Sequence, residues 1–188
     1  MNFRKQDEGR VWASFKDGDN QMFSAIYSVY SRKLYQYGLK FTQNRTLIED
    51  SIQELFFELL KNRKTIGQTD NILRYLLKSF RFKLFRILKH EKRYDHRHES
   101  EDYVFELNFS IEHEMILREK EDHRTTVFLK SLQELTPRQK EAIYLKFTSG
   151  LDYKEVSEIM DMGLESCRNL IYRAVKSLKE AVQSGKKW

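Results

Sequence analysis

The stretch from Leu135 to Leu178 constrains the fold most, because its apolar spacing, capping residues and turn residues admit three short helices in close succession. The last of them carries Cys167, Leu170, Ile171, Ala174, Val175 and Leu178 at helical spacing, a stripe that must face a core. Its opposite face presents Ser166, Arg168, Asn169, Tyr172, Arg173 and Lys176. Bidentate donors, an amide and an aromatic are the residue types that read base edges and hold phosphates. Just upstream, Asp152 is placed to cap a helix with Glu155 three residues on, and Val156, Ile159 and Met160 supply its buried side. Met162-Gly163-Leu164 marks the tight turn between the pair. Thr136-Pro137-Arg138-Gln139 combines an N-cap, a proline at the first helical position and a glutamine at the third, and Gly150 ends that supporting helix. A plain amphipathic hairpin would share the stripe but not this turn chemistry together with this face. The expectation is a helix-turn-helix with a supporting helix, the second helix of the pair lying in a DNA groove.

The charge distribution fits a nucleic-acid partner. The net charge is +6, unevenly spread: residues 1–90 hold 17 basic and 9 acidic side chains, 91–122 hold 5 and 11, and 123–188 hold 12 and 8. Two basic modules therefore flank an acidic connector, and 188 residues suit two small domains. The expected division is 1–92, a flexible acidic linker over 93–122, and 123–188. A single cysteine, Cys167, excludes an intrachain disulfide and a cysteine-based zinc site, and a reducing cytoplasm is the simple reading. Met1 to Lys5 form no apolar signal core, and no apolar run approaches the length of a membrane span, so neither secretion nor membrane insertion is expected. With one proline, seven glycines and no sustained strand-period alternation, the chain reads as all-α.

The N-terminal module divides into three or four helices. Asp17-Gly18-Asp19 opens a long one whose apolar positions Met22, Phe23, Ile26, Tyr27, Tyr30, Leu34, Tyr37 and Phe41 follow the helical repeat. A second, from about Leu47 to Asn62, buries Ile52, Leu55, Phe56, Leu59 and Leu60. Its other side carries Asp50, Gln53 and Glu54, an acidic patch in a basic module. After a polar loop from Arg63 to Asn71, a third turns Leu73, Leu76, Leu77, Phe80, Leu84, Ile87 and Leu88 inward. Outward it is expected to carry Arg74, Lys78, Arg81, Lys83, Arg86 and Lys89, interleaved with Tyr75, Phe82 and Phe85. Cations can track a phosphate backbone while aromatic faces stack on exposed bases, which favours melted over duplex DNA. The periodicity alone leaves a second reading open, in which the aromatics are core and the cations a solvated face.

From Asp19 to Leu178 the sequence resembles the extracytoplasmic-function group of sigma-70-type sigma factors, the promoter-recognition subunits of bacterial RNA polymerase, with the Bacteroidetes type as the suggested subgroup. Leu135-Thr136-Pro137-Arg138-Gln139, Gly150-Leu151-Asp152-Tyr153-Lys154-Glu155-Val156 and Tyr172-Arg173-Ala174 resemble region 4, whose helix-turn-helix reads the −35 element. Asp50-Ser51-Ile52-Gln53-Glu54-Leu55-Phe56 is similar to the Asp-x-x-Gln-Glu-x-Phe motif of region 2, through which the family docks on the clamp helices of the polymerase β′ subunit. The resemblance implies −35 readout by Arg168, Asn169, Tyr172 and Arg173, with Lys146 near the backbone, and the outward face of the helix adds Ser166 and Lys176 as expected DNA contacts. The resemblance also implies capture of the melted −10 element by the segment from Asn62 to Lys83, with Arg74, Tyr75, Lys78, Arg81, Phe82 and Lys83 as the contacts, and docking by Asp50, Gln53 and Glu54. The implied partners are core RNA polymerase (β′ clamp helices and β flap), promoter DNA and an anti-sigma factor; no cofactor and no chemistry of its own are implied. Two positions depart from the family pattern. Ser79-Phe80-Arg81-Phe82 stands where an Ile-Ala-Arg-Asn-like stretch is usual, and Gly163 where a serine commonly caps the reader helix. In this family the linker threads toward the polymerase active-site cleft, where an acidic strand would mimic RNA.

Two other functional classes fit these residues less well. A helix-turn-helix regulator that never docks on polymerase leaves the Asp50-Gln53-Glu54 patch and the basic-aromatic helix without a role. A metal-dependent hydrolase could use Asp50, Glu54 and Glu58, which recur one helical turn apart, but 22–41 and 72–90 offer no second carboxylate cluster. His90, His96 and His98 lack a partner cysteine or a fixed helical spacing, so no metal is expected there.

Overall fold

The computed structural model describes residues 7–94, 104–107 and 123–184, and every regular element among them is helical. The chain divides into two compact units, Met1–Asp102 and Tyr103–Trp188.

The first unit contains α1 (Glu8–Lys16), α2 (Asn20–Gly38), α3 (Arg45–Lys61) and α4 (Ile72–Tyr94). Side chains cap the starts of α2 and α3. The Asp19 carboxylate accepts from the backbone N–H groups of Gln21 and Met22, and Asn44 accepts from that of Leu47. The Met22 N–H, then the Ser14 hydroxyl and the Gln21 N–H, hold the Asp19 carboxyl below the usual carboxylate range. The expected inner face of α2 is largely realised, with Ile26, Tyr30, Leu34 and Tyr37 buried, but Tyr27 is exposed beside Phe56. Gly38 is needed where α2 ends, because a Cβ there would lie 2.8 Å from Ile48 Cγ2 and 3.2 Å from the Phe80 ring. No larger residue lets the end of α2 come so close to α3 and α4.

The second unit contains α5 (His123–Glu134), α6 (Pro137–Ile143), a π-helical turn (Tyr144–Thr148), α7 (Tyr153–Ile159) and α8 (Leu164–Ser184). Both expected capping boxes form, Thr136 with Gln139 and Asp152 with Glu155. The supporting helix does not run straight to Gly150. It ends in the π turn, whose wider ring is closed by Ser149 N–H on the Tyr144 carbonyl. Gly150 then takes φ of +71°, the left-handed conformation that stops a helix. Between α7 and α8 the left-handed residue is Asp161, φ +52°, and Gly163 sits at the N-cap of α8 without a positive φ. Ala174 and Leu178 of α8 pack with Leu132 and Leu135, with Leu107, Leu129 and Ile143 against them.

Residues 104–107 fall inside the segment expected to be linker, yet they pack on this unit. Phe105 is fully buried, with its ring 5.8 Å from that of Tyr144. The remainder of the linker from 95 on, with His96, His98, His113 and the RNA-mimic reading, lies outside the described residues.

Candidate nucleic-acid interfaces

In the second unit the capped α7, the Asp161 turn and α8 form the expected helix-turn-helix. Cys167, Ile171, Ala174 and Leu178 are buried, and Val175 is exposed instead of completing the stripe. Burial pushes the Cys167 thiol up, against a smaller opposing effect of the Lys146 charge. The outward row is as the sequence places it: Ser166, Arg168, Asn169, Tyr172, Arg173 and Lys176 are all exposed, Tyr172 to 64%. Tyr172 and Arg173 each stand one turn after Asn169, on its side of the helix. Arg168 pairs with Glu165, and Lys176 lies 3.8 Å from Glu180, both exposed pairs that cost little to open. Lys146 differs from the rest. It is half-buried, its ammonium donates to the Leu151 carbonyl at 3.1 Å and sits 4.7 Å above the Tyr153 ring, so it braces the entry to α7.

In the first unit the structure sorts the expected contacts more severely. Asp50, Gln53 and Glu54 are exposed on α3, and Phe57, 66% exposed, continues the same face one turn on. Phe57 was not singled out from sequence. The signal was there, since it follows Gln53 by four residues and Glu54 by three. Lys83 corrects the outward reading of α4. It is buried, with its ammonium 3.1 Å from Glu54 and 3.0 Å from Glu58. Two of the three carboxylates that suggested a metal site thus hold a lysine. Among the described residues no group of three or more His, Cys, Asp or Glu is placed to bind a metal ion.

The three aromatics of α4 also separate. Tyr75 is half-buried against Trp12 at 4.8 Å, and burial raises its phenol above the ordinary value. Phe85 packs edge-on to Phe41 at 5.2 Å, with the Arg81 guanidinium 4.4 Å over its ring. Phe82 alone of the three is exposed, to 72%, and Lys78 is exposed one turn before it. Arg74 lies over the start of the helix, with its guanidinium 3.3 Å from the Thr69 hydroxyl and 3.6 Å from Asp70.

The loop between α3 and α4 is built rather than slack. The buried Thr69 hydroxyl accepts from the Asn71 N–H at 3.1 Å and donates to its carbonyl at 3.0 Å, and the Asn71 side chain caps α4 by accepting from the Arg74 N–H at 2.8 Å. The end of α3 and the loop, Leu60 to Thr65, line an open recess of about 380 Å³ edged by Lys61, Arg63 and Lys64. From beneath, α1 reaches the loop with three side chains, and none of them was anticipated. Lys16 and Trp12 donate to the carbonyls of Ile66 and Gly67, and Glu8 accepts from the Ile72 N–H.

Comparison with known proteins agrees with this geometry. Residues 126–178 match the family described as Sigma-70, region 4. No curated protein matches the chain in sequence. Among solved structures, the chain is similar in fold to CnrH in its complex with the cytosolic domain of CnrY, at 13% identity, with 96% of this chain and 99% of that one covered and a TM-score of 0.61. It is also similar to the sigma factor RpoE from Bartonella quintana in complex with the anti-sigma factor NepR, at 17% identity, covering 86% of this chain and 96% of that one with a TM-score of 0.57.

Proposed function

We infer that this chain, a member of the sigma-70 family, acts as an alternative sigma factor of the extracytoplasmic-function group. It binds core RNA polymerase and directs promoter-specific initiation, the α8 face reading −35 duplex DNA while α4 and the loop before it hold the melted −10 strand. One observation carries the reading: Asn169, Tyr172 and Arg173 stand exposed in a row on the second helix of a doubly capped helix-turn-helix, within the segment that matches region 4. Such a row reaches a few successive base pairs and their phosphates.

The exposed Asp50, Gln53, Glu54 and Phe57 suit docking on the β′ clamp helices, an apolar centre within acidic surroundings favouring a basic amphipathic partner. The second unit would meet the β flap. An anti-sigma factor belongs to the same reading, since the similar RpoE was captured with one. The chain supplies recognition, and polymerase supplies the chemistry. No described helix is long and apolar enough to cross a membrane, which accords with action in the cytoplasm. Placement in the Bacteroidetes type is part of the same proposal.

Transcription tests the reading. Cognate core polymerase with this chain is expected to start transcription on DNA taken from upstream of the chain's own gene. Asp50→Lys should lower core binding by roughly 1–3 kcal/mol through a lost charge complement. It is a cleaner probe than a change at Glu54, which also pairs with Lys83. No initiation by a competent core, or unaltered co-purification of the Asp50→Lys chain, would favour a regulator that acts without docking.

A further inference from the structure

We propose that α1 is a positioning element for the strand-binding loop, Trp12 and Lys16 fixing its backbone and Glu8 fixing the start of the helix that follows. This rests on the reading of the loop as part of the −10 site. Glu8, Trp12 and Lys16 recur four residues apart, so one face of a nine-residue helix delivers all three. Lys16 Nζ donates to the Ile66 carbonyl at 2.6 Å, Trp12 Nε1 donates to the Gly67 carbonyl at 2.9 Å, and Glu8 Oε2 accepts from the Ile72 N–H at 2.6 Å.

Packing alone does not require this arrangement. Phe15 and the indole of Trp12 are buried and would dock α1 as apolar groups, with rings 5.5 Å apart and Tyr75 against the indole. An ammonium and an indole N–H are in addition committed to loop carbonyls, and the Glu8 carboxylate, which also takes a hydrogen bond from the Tyr30 hydroxyl, accepts from the Ile72 N–H. Two of these three bonds to the backbone involve a charged partner, the stronger kind. They act where the loop needs them. A Cβ at Gly67 would meet nothing within 4 Å, so neighbouring side chains do little to restrain a residue that is intrinsically free in φ and ψ. Drawing the carbonyls of residues 66 and 67 toward α1 restrains it, while Lys61, Asn62, Lys64, Thr65 and Gln68 stay exposed. A loop ordered before the strand arrives avoids the ordering cost on binding.

The test uses the full chain with Lys16→Met, which keeps most of the stem and loses the donor, and Lys16→Arg, which restores one. Lys16→Met should speed amide hydrogen exchange over residues 64–68 about tenfold, the equivalent of one net hydrogen bond, with α3 amides unchanged. Affinity for a −10 single-stranded oligonucleotide should fall by a similar factor, roughly tenfold at most. Duplex −35 binding by the same molecule should hold, and Lys16→Arg should recover most of both losses. Unchanged loop exchange overturns the proposal. So does faster exchange with unchanged strand binding, because the loop's shape would then be irrelevant to capture; a parent that still initiates transcription would leave the sigma-factor reading intact in both cases. A parent chain with no affinity for the −10 strand would overturn both.

Discussion

The outer face of α8, proposed to read duplex DNA, is a row of exposed cations and aromatics, whereas α4, proposed to hold a melted strand, draws most of its own inward. On α8 all six expected contacts are exposed, and the ion pairs they make are superficial. On α4, Lys83 is buried between two carboxylates, Tyr75 and Phe85 pack inward, and Arg81 lies over Phe85. The difference does not lie in the number of neighbours, since α8 packs against α5, α6 and α7 as α4 does against α1, α2 and α3; it lies in what those neighbours offer. The outer face of α8 meets solvent, so one period sorts its residues into inside and outside. On α4 the neighbouring α3 turns Glu54 and Glu58 toward Lys83, the polar partners that a buried cation needs, and so takes inside a residue that periodicity alone would place outside.

The sharpest way to stress this contrast is to remove the aromatic anchor of the first unit. Trp12 is fully buried and touches α4 through Tyr75. Trp12→Ala should destabilise the first unit by about 3–5 kcal/mol through lost burial and a residual cavity. The second unit's exchange protection should be unchanged. Residue-resolved hydrogen exchange under mild denaturant would show it, and equal losses in both units would mean that they do not unfold separately.

Within α4, Phe82 and Tyr75 provide the next test. Phe82→Ala should cost about 1–3 kcal/mol in binding a −10 single strand, the worth of a base stacked on an aromatic face, with little change in stability. Tyr75→Ala should instead lower stability, because its ring belongs to the Trp12 contact. Strand-binding titrations beside denaturant melts distinguish the two. If Phe82→Ala binds like the parent, the one exposed aromatic of the three is not the stacking platform.

These cases also show what was legible in the sequence. Caps, turns and the α8 stripe rest on spacings within a few residues, and Thr136, Gln139, Asp152 and Glu155 all do what their spacing implies. Lys83, Glu8, Trp12 and Lys16 find partners across the fold: Trp12 and Gly67 are 55 residues apart, and Glu8 and Ile72 are 64 apart. No local periodicity encodes such pairs. Lys146 fell between these cases, its place on the supporting helix being legible but its use on Leu151 and Tyr153 depending on a π turn that the pattern did not announce. Phe105 was hidden for a different reason, as the apolar run Tyr103-Val104-Phe105 with Leu107 is too short, within an acidic stretch, to show a repeat.

On α8 the contrast turns on which residues specify and which merely hold. Asn169→Ala or Arg173→Ala should remove about 1–3 kcal/mol at one or two −35 positions, whereas Lys176→Ala should weaken binding to all sequences and lower its salt dependence. Selection from randomised −35 DNA separates these outcomes. If the Asn169 and Arg173 variants keep the parent's preferred sequence and lose only overall affinity, those side chains hold the backbone and the reader lies elsewhere.

The smallest effect concerns the start of that helix, where α8 lacks the side-chain cap that α6 and α7 have. Gly163 occupies the N-cap, its carbonyl accepting from the Cys167 N–H at 2.9 Å. Its φ is not positive, and an added Cβ would lie 3.7 Å from Ser166 Oγ, an ordinary contact. Gly163→Ser therefore meets neither strain nor a clash, and its hydroxyl can accept an N–H left unpaired in the first turn. A gain of a few tenths of a kcal/mol is expected, or about 1–3 °C in the melting temperature of a unit this size. Gly163→Ala supplies the Cβ without the acceptor and should give no such gain. If serine and alanine behave alike, the benefit comes from stiffening the unfolded chain. If serine destabilises, the approach to the reader helix depends on glycine for a reason other than φ.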